Sequence, residues 1–193
     1  MKNPHFENLI EILKTTLGIS NAVAKKMAFT ILKKDNQQIL QLINSIQTFK
    51  QNFQECKLCH NYDKEEICEI CKQRSKSKKI MFVENQSDIQ KFESLDFFKG
   101  KYFVIEELLS PKKQNFSQGL IDEILSYTEG ANEIILALST TLNGQITMQR
   151  LKTILSVKKA DIYQLSTGIP FGASVDIVDS ITLKQSLENK IKM

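Results

Sequence analysis

The sequence predicts an α/β protein: a helical N-terminal region, a small four-cysteine module, a parallel sheet flanked by helices, and a short C-terminal element. Three observations carry that prediction. Apolar residues recur at helical spacing through residues 6–46. Two Cys-x2-Cys pairs follow. Beyond about residue 79, short apolar runs alternate with helix-like segments, the pattern of parallel strands joined by crossover helices. These changes divide the chain into 1–54, 55–72, 79–170 and 171–193.

Phe6, Leu9, Ile10, Leu13 and Leu17 share one face of a helix over 6–17, which Gly18-Ile19-Ser20-Asn21 breaks. Asn21 is a cap for a second helix bearing Val23, Met27, Ile31 and Leu32. Asp35, with Gln38 three residues on, caps a third whose apolar face is Ile39, Leu42, Ile43 and Ile46. The stretch Lys72 to Lys79 is polar, basic and serine-bearing, which suits a linker. Strands are expected at Ile80–Val83, Tyr102–Ile105, Ile134–Leu138 and Ile162–Leu165. All but the last are near-continuously apolar, as strands buried on both faces are. Helices are expected near 87–95, with Ser87 as cap, near 119–128, with Gly130 as stop, and near 147–156. A turn-rich Gly168-Ile169-Pro170-Phe171-Gly172 element precedes a terminal helix near 182–191.

Cys56, Cys59, Cys68 and Cys71 form Cys-x2-Cys, eight residues, Cys-x2-Cys. Each pair offers two thiolates from one tight turn, and the intervening loop folds the pairs together into a tetrahedral zinc site. Four thiolates close the shell and leave no place for water, so the expectation is one structural zinc per chain. Four unligated buried thiols fit poorly with so many lysines and glutamates around them. His60 adjoins Cys59 and can compete as a ligand, but reads more simply as a solvated knuckle residue.

No apolar run approaches the roughly 20 residues a membrane-spanning helix needs. The opening residues, Met1 to Glu7, lack the apolar region of a signal peptide. A cytoplasmic protein is expected, and in a reducing compartment four cysteines suit a metal better than disulfides. The net charge of +4 is uneven: residues 1–79 hold 14 basic against 8 acidic side chains, residues 80–193 hold 12 against 14. A basic excess suits a phosphate backbone, because neutralised phosphates release counterions. The Leu17-Gly18-Ile19-Ser20 turn resembles the hairpin of a helix-hairpin-helix DNA-binding motif, where backbone N–H groups and the next helix N-terminus face phosphates. The turn and Lys25, Lys26, Lys33 and Lys34 are the expected DNA-facing surface.

An ordered set of short words spans nearly the whole chain. They are Lys26-Met27-Ala28-Phe29, the four cysteines, Phe82-Val83-Glu84 and Tyr102-Phe103-Val104-Ile105. Then come Leu109-Ser110-Pro111, Ile134-Ile135-Leu136-Ala137, and Gly168 to Gly172 leading into Val178-Asp179 and Thr182-Leu183. In this order they resemble the bacterial recombination mediator family RecR. The resemblance implies a helix-hairpin-helix, a four-cysteine zinc finger, and a Toprim domain with a four-stranded parallel sheet. It also implies a ring-shaped homotetramer around single- or double-stranded DNA, associated with the nucleoid. The implied role is to load the recombinase RecA on single-stranded DNA together with RecO and RecF. That is a clamp and loading function, not bond-breaking chemistry.

The chain departs from the family pattern at identifiable points. Ala22 stands where the family has a lysine, and Lys26 where it has an arginine, which keeps the charge but loses the planar fork. Near the end of the third strand the family shows Glu-Gly-Glu, and here the residues are Asn143-Gly144-Gln145. Catalytic Toprim enzymes carry Asp-x-Asp where Ser139 and Thr141 stand. The Walker-B-like element, Ser174 to Asp179, is short of acids. Magnesium-dependent strand cleavage needs a carboxylate cluster. Glu84 is the residual Toprim acid, and Glu106 and Glu107, ending the second strand, point to opposite faces. The reading is therefore no enzyme. The alternatives are a Toprim-type nuclease or topoisomerase-like enzyme and a zinc-finger adaptor that binds only proteins.

Overall fold

The computed structural model describes residues 3–190, and these form two compact units that divide between Phe53 and Gln54. The first holds three helices, α1 (Pro4–Leu17), α2 (Asn21–Leu32) and α3 (Asn36–Asn52). Asn3 caps α1, with Pro4 in its first turn, where a missing N–H costs nothing. Gly18 ends it in the left-handed conformation (φ 64°), one that glycine adopts without strain. The cap of α2 is Ser20 rather than Asn21: its Oγ accepts the Val23 N–H at 3.3 Å, and Asn21 is already helical. Asp35 caps α3 through the Gln38 N–H at 2.8 Å. Ala24 and Ala28 bury against Ile10, and their small side chains let α1 and α2 approach closely. The stripe expected on α3 is present, but α3 buries no residue, and Leu40 and Ile46 are each 59% exposed.

The second unit opens with a two-residue antiparallel ribbon, β1 (Gln54–Glu55) and β2 (Tyr62–Asp63), then the short helix α4 (Glu69–Gln73). Four parallel strands follow: β3 (Lys79–Val83), β4 (Lys101–Val104), β5 (Glu133–Ala137) and β6 (Asp161–Gln164), in the order β4-β3-β5-β6. Helices α5 (Gln86–Ser94), α6 (Gln118–Tyr127) and α7 (Leu142–Leu155) make the crossovers. Strand residues alternate between faces. Ile80, Phe82, Phe103, Ile134 and Leu136 join Ile124 of α6 and Leu151 of α7 in one core, whereas Met81, Val83, Tyr102 and Val104 pack with Ile89 of α5 in the other. β6 lies at an edge and is largely exposed, which explains its less apolar sequence. Among the described residues no helix is long and apolar enough to cross a membrane.

Four local expectations need correction. Asn85, not Ser87, caps α5, accepting the Asp88 N–H at 3.2 Å, while the Ser87 hydroxyl donates to the Asn85 Oδ1. Helix α7 starts at Leu142 under a Thr141 cap, so Asn143-Gly144-Gln145 is its first turn rather than a strand end. A Cβ on Gly144 would lie 2.0 Å from the Ser139 carbonyl oxygen, so this helix start needs glycine for close approach. The Lys72 to Lys79 stretch is no free linker. Arg74 grips Glu93 through Nη1 and Nη2 at 2.8 and 2.7 Å and donates to the Phe98 and Gly100 carbonyls. At the other end, Asp179 caps α8 (Ser180–Glu188), two residues earlier than expected, and Ile191, the expected last residue of that helix, lies outside the described residues.

The Arg74–Glu93 pair makes stability depend on acid. Burial alone would raise the Glu93 carboxyl, but hydrogen bonds from Arg74 and Tyr102 outweigh it and hold it below the usual range. A depressed folded value means the contribution is complete above the unfolded value of about 4.3 and is lost as pH falls through the folded one. Thermal unfolding followed from pH 7 to 3 should show this loss, and Glu93→Gln should flatten it. Arg74→Ala should cost roughly 2 kcal/mol, because it also leaves two backbone carbonyls without their donor.

Candidate metal centre and nucleic-acid surface

The first knuckle is a tight turn in which the His60 N–H returns to the Cys56 carbonyl at 3.0 Å and the Cys56 N–H to the Asn61 carbonyl at 2.6 Å. His60 has a positive φ of 62°, as closing the turn on a non-glycine residue requires. In the second knuckle Cys68 caps α4 and Cys71 lies in its first turn. All four cysteines are buried, and their sulfurs lie within 4.8 Å of one another. Zinc–sulfur bonds of about 2.3 Å in a tetrahedron put sulfurs about 3.8 Å apart. The 3.5 Å between the Cys59 and Cys68 sulfurs and the 4.8 Å limit bracket that value. The donor set fits a closed, four-sulfur metal ion.

The surroundings suit thiolate charge. The Cys68 N–H donates to the Cys56 Sγ at 3.3 Å, the Cys71 N–H to the Cys68 Sγ at 3.5 Å, and the Tyr127 hydroxyl lies 3.4 Å from the Cys71 Sγ. Hydrogen bonds from Cys59 and Cys71 pull the Cys68 thiol far down, and the same contacts together with burial push Cys59 up. A divalent cation among the four sulfurs would favour all of them as thiolates. Burial and the charge on Cys71 push the Tyr127 phenol up, so it stays a donor. Tyr127 is on α6, 56 residues beyond Cys71, and no sequence signal connects the two.

The knuckle also covers the edge of the sheet. The Val104 N–H of β4 donates to the Cys59 carbonyl at 2.9 Å, and Gln86 Nε2 donates to the His60 carbonyl at 3.0 Å. Ile70 packs against both the cysteine cluster and the core beneath α5. His60 lies outside the four-sulfur cluster and is half-buried rather than fully solvated. Its Nδ1 lies 2.5 Å from Glu55, its Nε2 3.4 Å from Glu123, and its ring packs edge-on to Phe103.

Strand order reverses between β3 and β5, and the crevice past their C-terminal ends is where α/β sheets bind ligands. Glu84 lines it, and its Oε1 accepts the Ser139 N–H. Asp88, in the first turn of α5 and not singled out from the sequence, lines it too and pairs with Lys91 at 3.4 Å. The crevice thus holds two carboxylates, each with a protein partner, and Ser139 and Thr141 hydrogen bond to each other at 2.8 Å. Glu106 and Glu107 lie beyond the end of β4 and diverge, Glu106 to Tyr62 and Gln86, Glu107 to Lys113. In the C-terminal element Asp179 is occupied in capping α8.

Lys25, Lys26, Lys33 and Lys34 are all exposed, and among the described residues none is in an ion pair. They are not equivalent. At about 100° per residue, Lys26 lies roughly opposite the Ala24–Ala28 face that packs on α1, and Lys33 returns to the azimuth of Lys26. Lys25 sits on the flank. At the start of α2 the Ser20 side chain takes the Val23 N–H, and no acidic residue lies in the first turn.

A Toprim domain model matches residues 78–166, and a model of the RecR C-terminal region matches residues 168–191. The chain is similar to Recombination protein RecR of Mycoplasmopsis pulmonis, with 37% identity over 98% of this chain and 100% of that relative. It is 32% identical to Recombination protein RecR of Ureaplasma urealyticum, over 100% of this chain and 98% of the relative. The protein of the same name from Bdellovibrio bacteriovorus is 30% identical over 97% of each chain.

Proposed function

The chain belongs to the RecR family of recombination proteins, and from that premise we propose that it is a non-enzymatic DNA clamp in recombinational repair. In this reading it works in the bacterial cytoplasm, at the nucleoid, with RecO- and RecF-type proteins, helping to load RecA on single-stranded DNA. Cys56, Cys59, Cys68 and Cys71 hold one zinc that fixes the knuckle against β4. The lysines of α2 contact phosphates of single- or double-stranded DNA, and four copies close a ring. The segments 1–54, 55–72, 79–170 and 171–193 serve as DNA hairpin, metal module, scaffold and closing element.

The observation that carries a clamp over a cleaving enzyme is the crevice at the strand-order reversal. A magnesium ion for strand cleavage needs a cluster of carboxylates, and among the described residues this crevice offers Glu84 and Asp88 alone, with hydroxyls at Ser139 and Thr141. The test is a paired assay on one preparation. Added to single-stranded DNA coated with single-strand-binding protein, together with RecO-type protein, it should speed RecA filament growth. With supercoiled plasmid and magnesium it should yield no nicked product. Nicking that Glu84→Ala or Asp88→Ala abolishes would make the protein a Toprim enzyme instead.

A further inference from the structure

The chain has two arginines, and they stand in opposite situations. Arg74 has a carboxylate and two carbonyls around it. Arg150, on α7, has none: among the described residues its Nε is the one buried side-chain nitrogen or oxygen without a hydrogen-bond partner, and no carboxylate pairs with its guanidinium. The Nε itself is closed off, and the terminal nitrogens of this half-buried guanidinium, which no described protein group engages, are what a ligand can reach. Arg150 lines a groove of about 650 Å³ between α7 and the loop at Pro111–Gln114. We propose that this groove docks an extended, acidic and apolar peptide segment of a partner protein, with Arg150 taking its carboxylate.

The lining argues for a peptide. No acidic residue is among the groove's walls, Arg150 is their one charged residue, and Lys112 lies in the adjoining loop. Pro111, Ile146 and the 64%-exposed Leu142 supply apolar surface, which a phosphate backbone does not need and a leucine-like side chain does. The glutamines discriminate further. Gln114 donates its amide to the Pro111 carbonyl at 3.2 Å, and Gln145 to the Thr140 carbonyl at 3.0 Å. Their side-chain oxygens remain as acceptors. A phosphodiester has no N–H to offer them, whereas a peptide backbone has one at nearly every residue. An arginine fork suits a carboxylate in two-point contact. The groove belongs to the second unit and the hairpin lysines to the first, and the proposal does not depend on the DNA reading.

Two arginines make the test direct. The full chain should give two arginine Nε–H resonances in a proton–nitrogen spectrum, and Arg150→Lys assigns them by deleting one. Titration with the synthetic peptide acetyl-Leu-Asp-Leu-Glu-Leu-amide should move the Arg150 resonance saturably and leave that of Arg74 in place. The same peptide with Asn and Gln for its acids should bind roughly tenfold more weakly, as loss of a charge-assisted pair implies. Arg150→Gln should weaken the acidic peptide by a similar factor at an unchanged unfolding midpoint, and Arg150→Lys should fall between. The proposal is overturned by no movement of Arg150, by equal binding of the acidic and neutral peptides, or by movement with a short DNA duplex and not with the peptide.

Discussion

Stripping the metal from the four-cysteine site is expected to unfold residues 54–74 and to uncover the edge of β4. The module has little else to hold it: a ribbon of two residues per strand, a five-residue helix, and a core made of the cysteines themselves. Zinc binding in such modules is folding free energy, roughly 10–16 kcal/mol in isolated zinc-finger peptides, so its loss exceeds what the knuckle's hydrogen bonds can offset. Unfolding would take the Cys59 carbonyl from the Val104 N–H, and Ile70 from the α5 face of the sheet. Hydrogen exchange after chelation should therefore speed up across the module and at Val104, while Phe82 in the central strand stays protected. Elemental analysis should give one zinc per chain, and Cys68→Ser should reproduce the chelated pattern. X-ray absorption showing nitrogen or water in the first shell would refute the closed four-sulfur site. Unchanged exchange in the metal-free protein would show that the module folds without metal.

Most of this architecture was legible because its signals are local or periodic. The strands β3, β4 and β5 announced themselves as apolar runs, and the cysteine spacing marked the knuckles. What the sequence concealed depends on contacts between distant residues. Tyr127 reaches Cys71 from another helix, and Arg74 turns a polar, apparently free stretch into a fixed one through Glu93. The early start of α7 was hidden because Asn143-Gly144-Gln145 carries no apolar residue and glycine reads as a breaker, whereas Gly144 is there for its closeness to Ser139. The caps at Ser20 and Asn85 were each misplaced by one or two residues, since neighbouring polar side chains offer the same oxygen and only backbone geometry chooses between them. Asp88 was missed for a related reason: an acid in the first turn of a helix looks like a cap or a solvated face until the fold turns it toward the crevice.

Reversing charge on the outer face of α2 is expected to abolish most DNA binding without unfolding the protein. Lys26 and Lys33 share one azimuth two turns apart, roughly 10 Å along the helix, and face away from the Ala24–Ala28 packing surface. Lys25 lies about 100° from that line. The double variant Lys26→Glu, Lys33→Glu should therefore weaken binding much more than Lys25→Glu, although each single site loses the same charge. Contacts to phosphates release counterions, so each one lost should lower the salt slope by about 0.9 on duplex DNA and about 0.7 on single strands. If four copies close a ring, every variant changes four surfaces at once, and the loss compounds as lost multivalency rather than as one contact. A loss of at least roughly a hundredfold at low salt is the expected scale, with little dependence on DNA sequence, because phosphate contacts carry none. The substitutions remove no buried contact, so the thermal midpoint should stay within the range typical of surface changes. The measurement is a salt series of binding isotherms on single- and double-stranded oligonucleotides for wild type, the double variant, Lys26→Glu and Lys25→Glu. Equal effects of Lys25 and Lys26 would mean that the hairpin turn, rather than the outer face of α2, sets the contact. Wild-type affinity in the double variant would place the DNA surface elsewhere and favour an adaptor that binds only proteins.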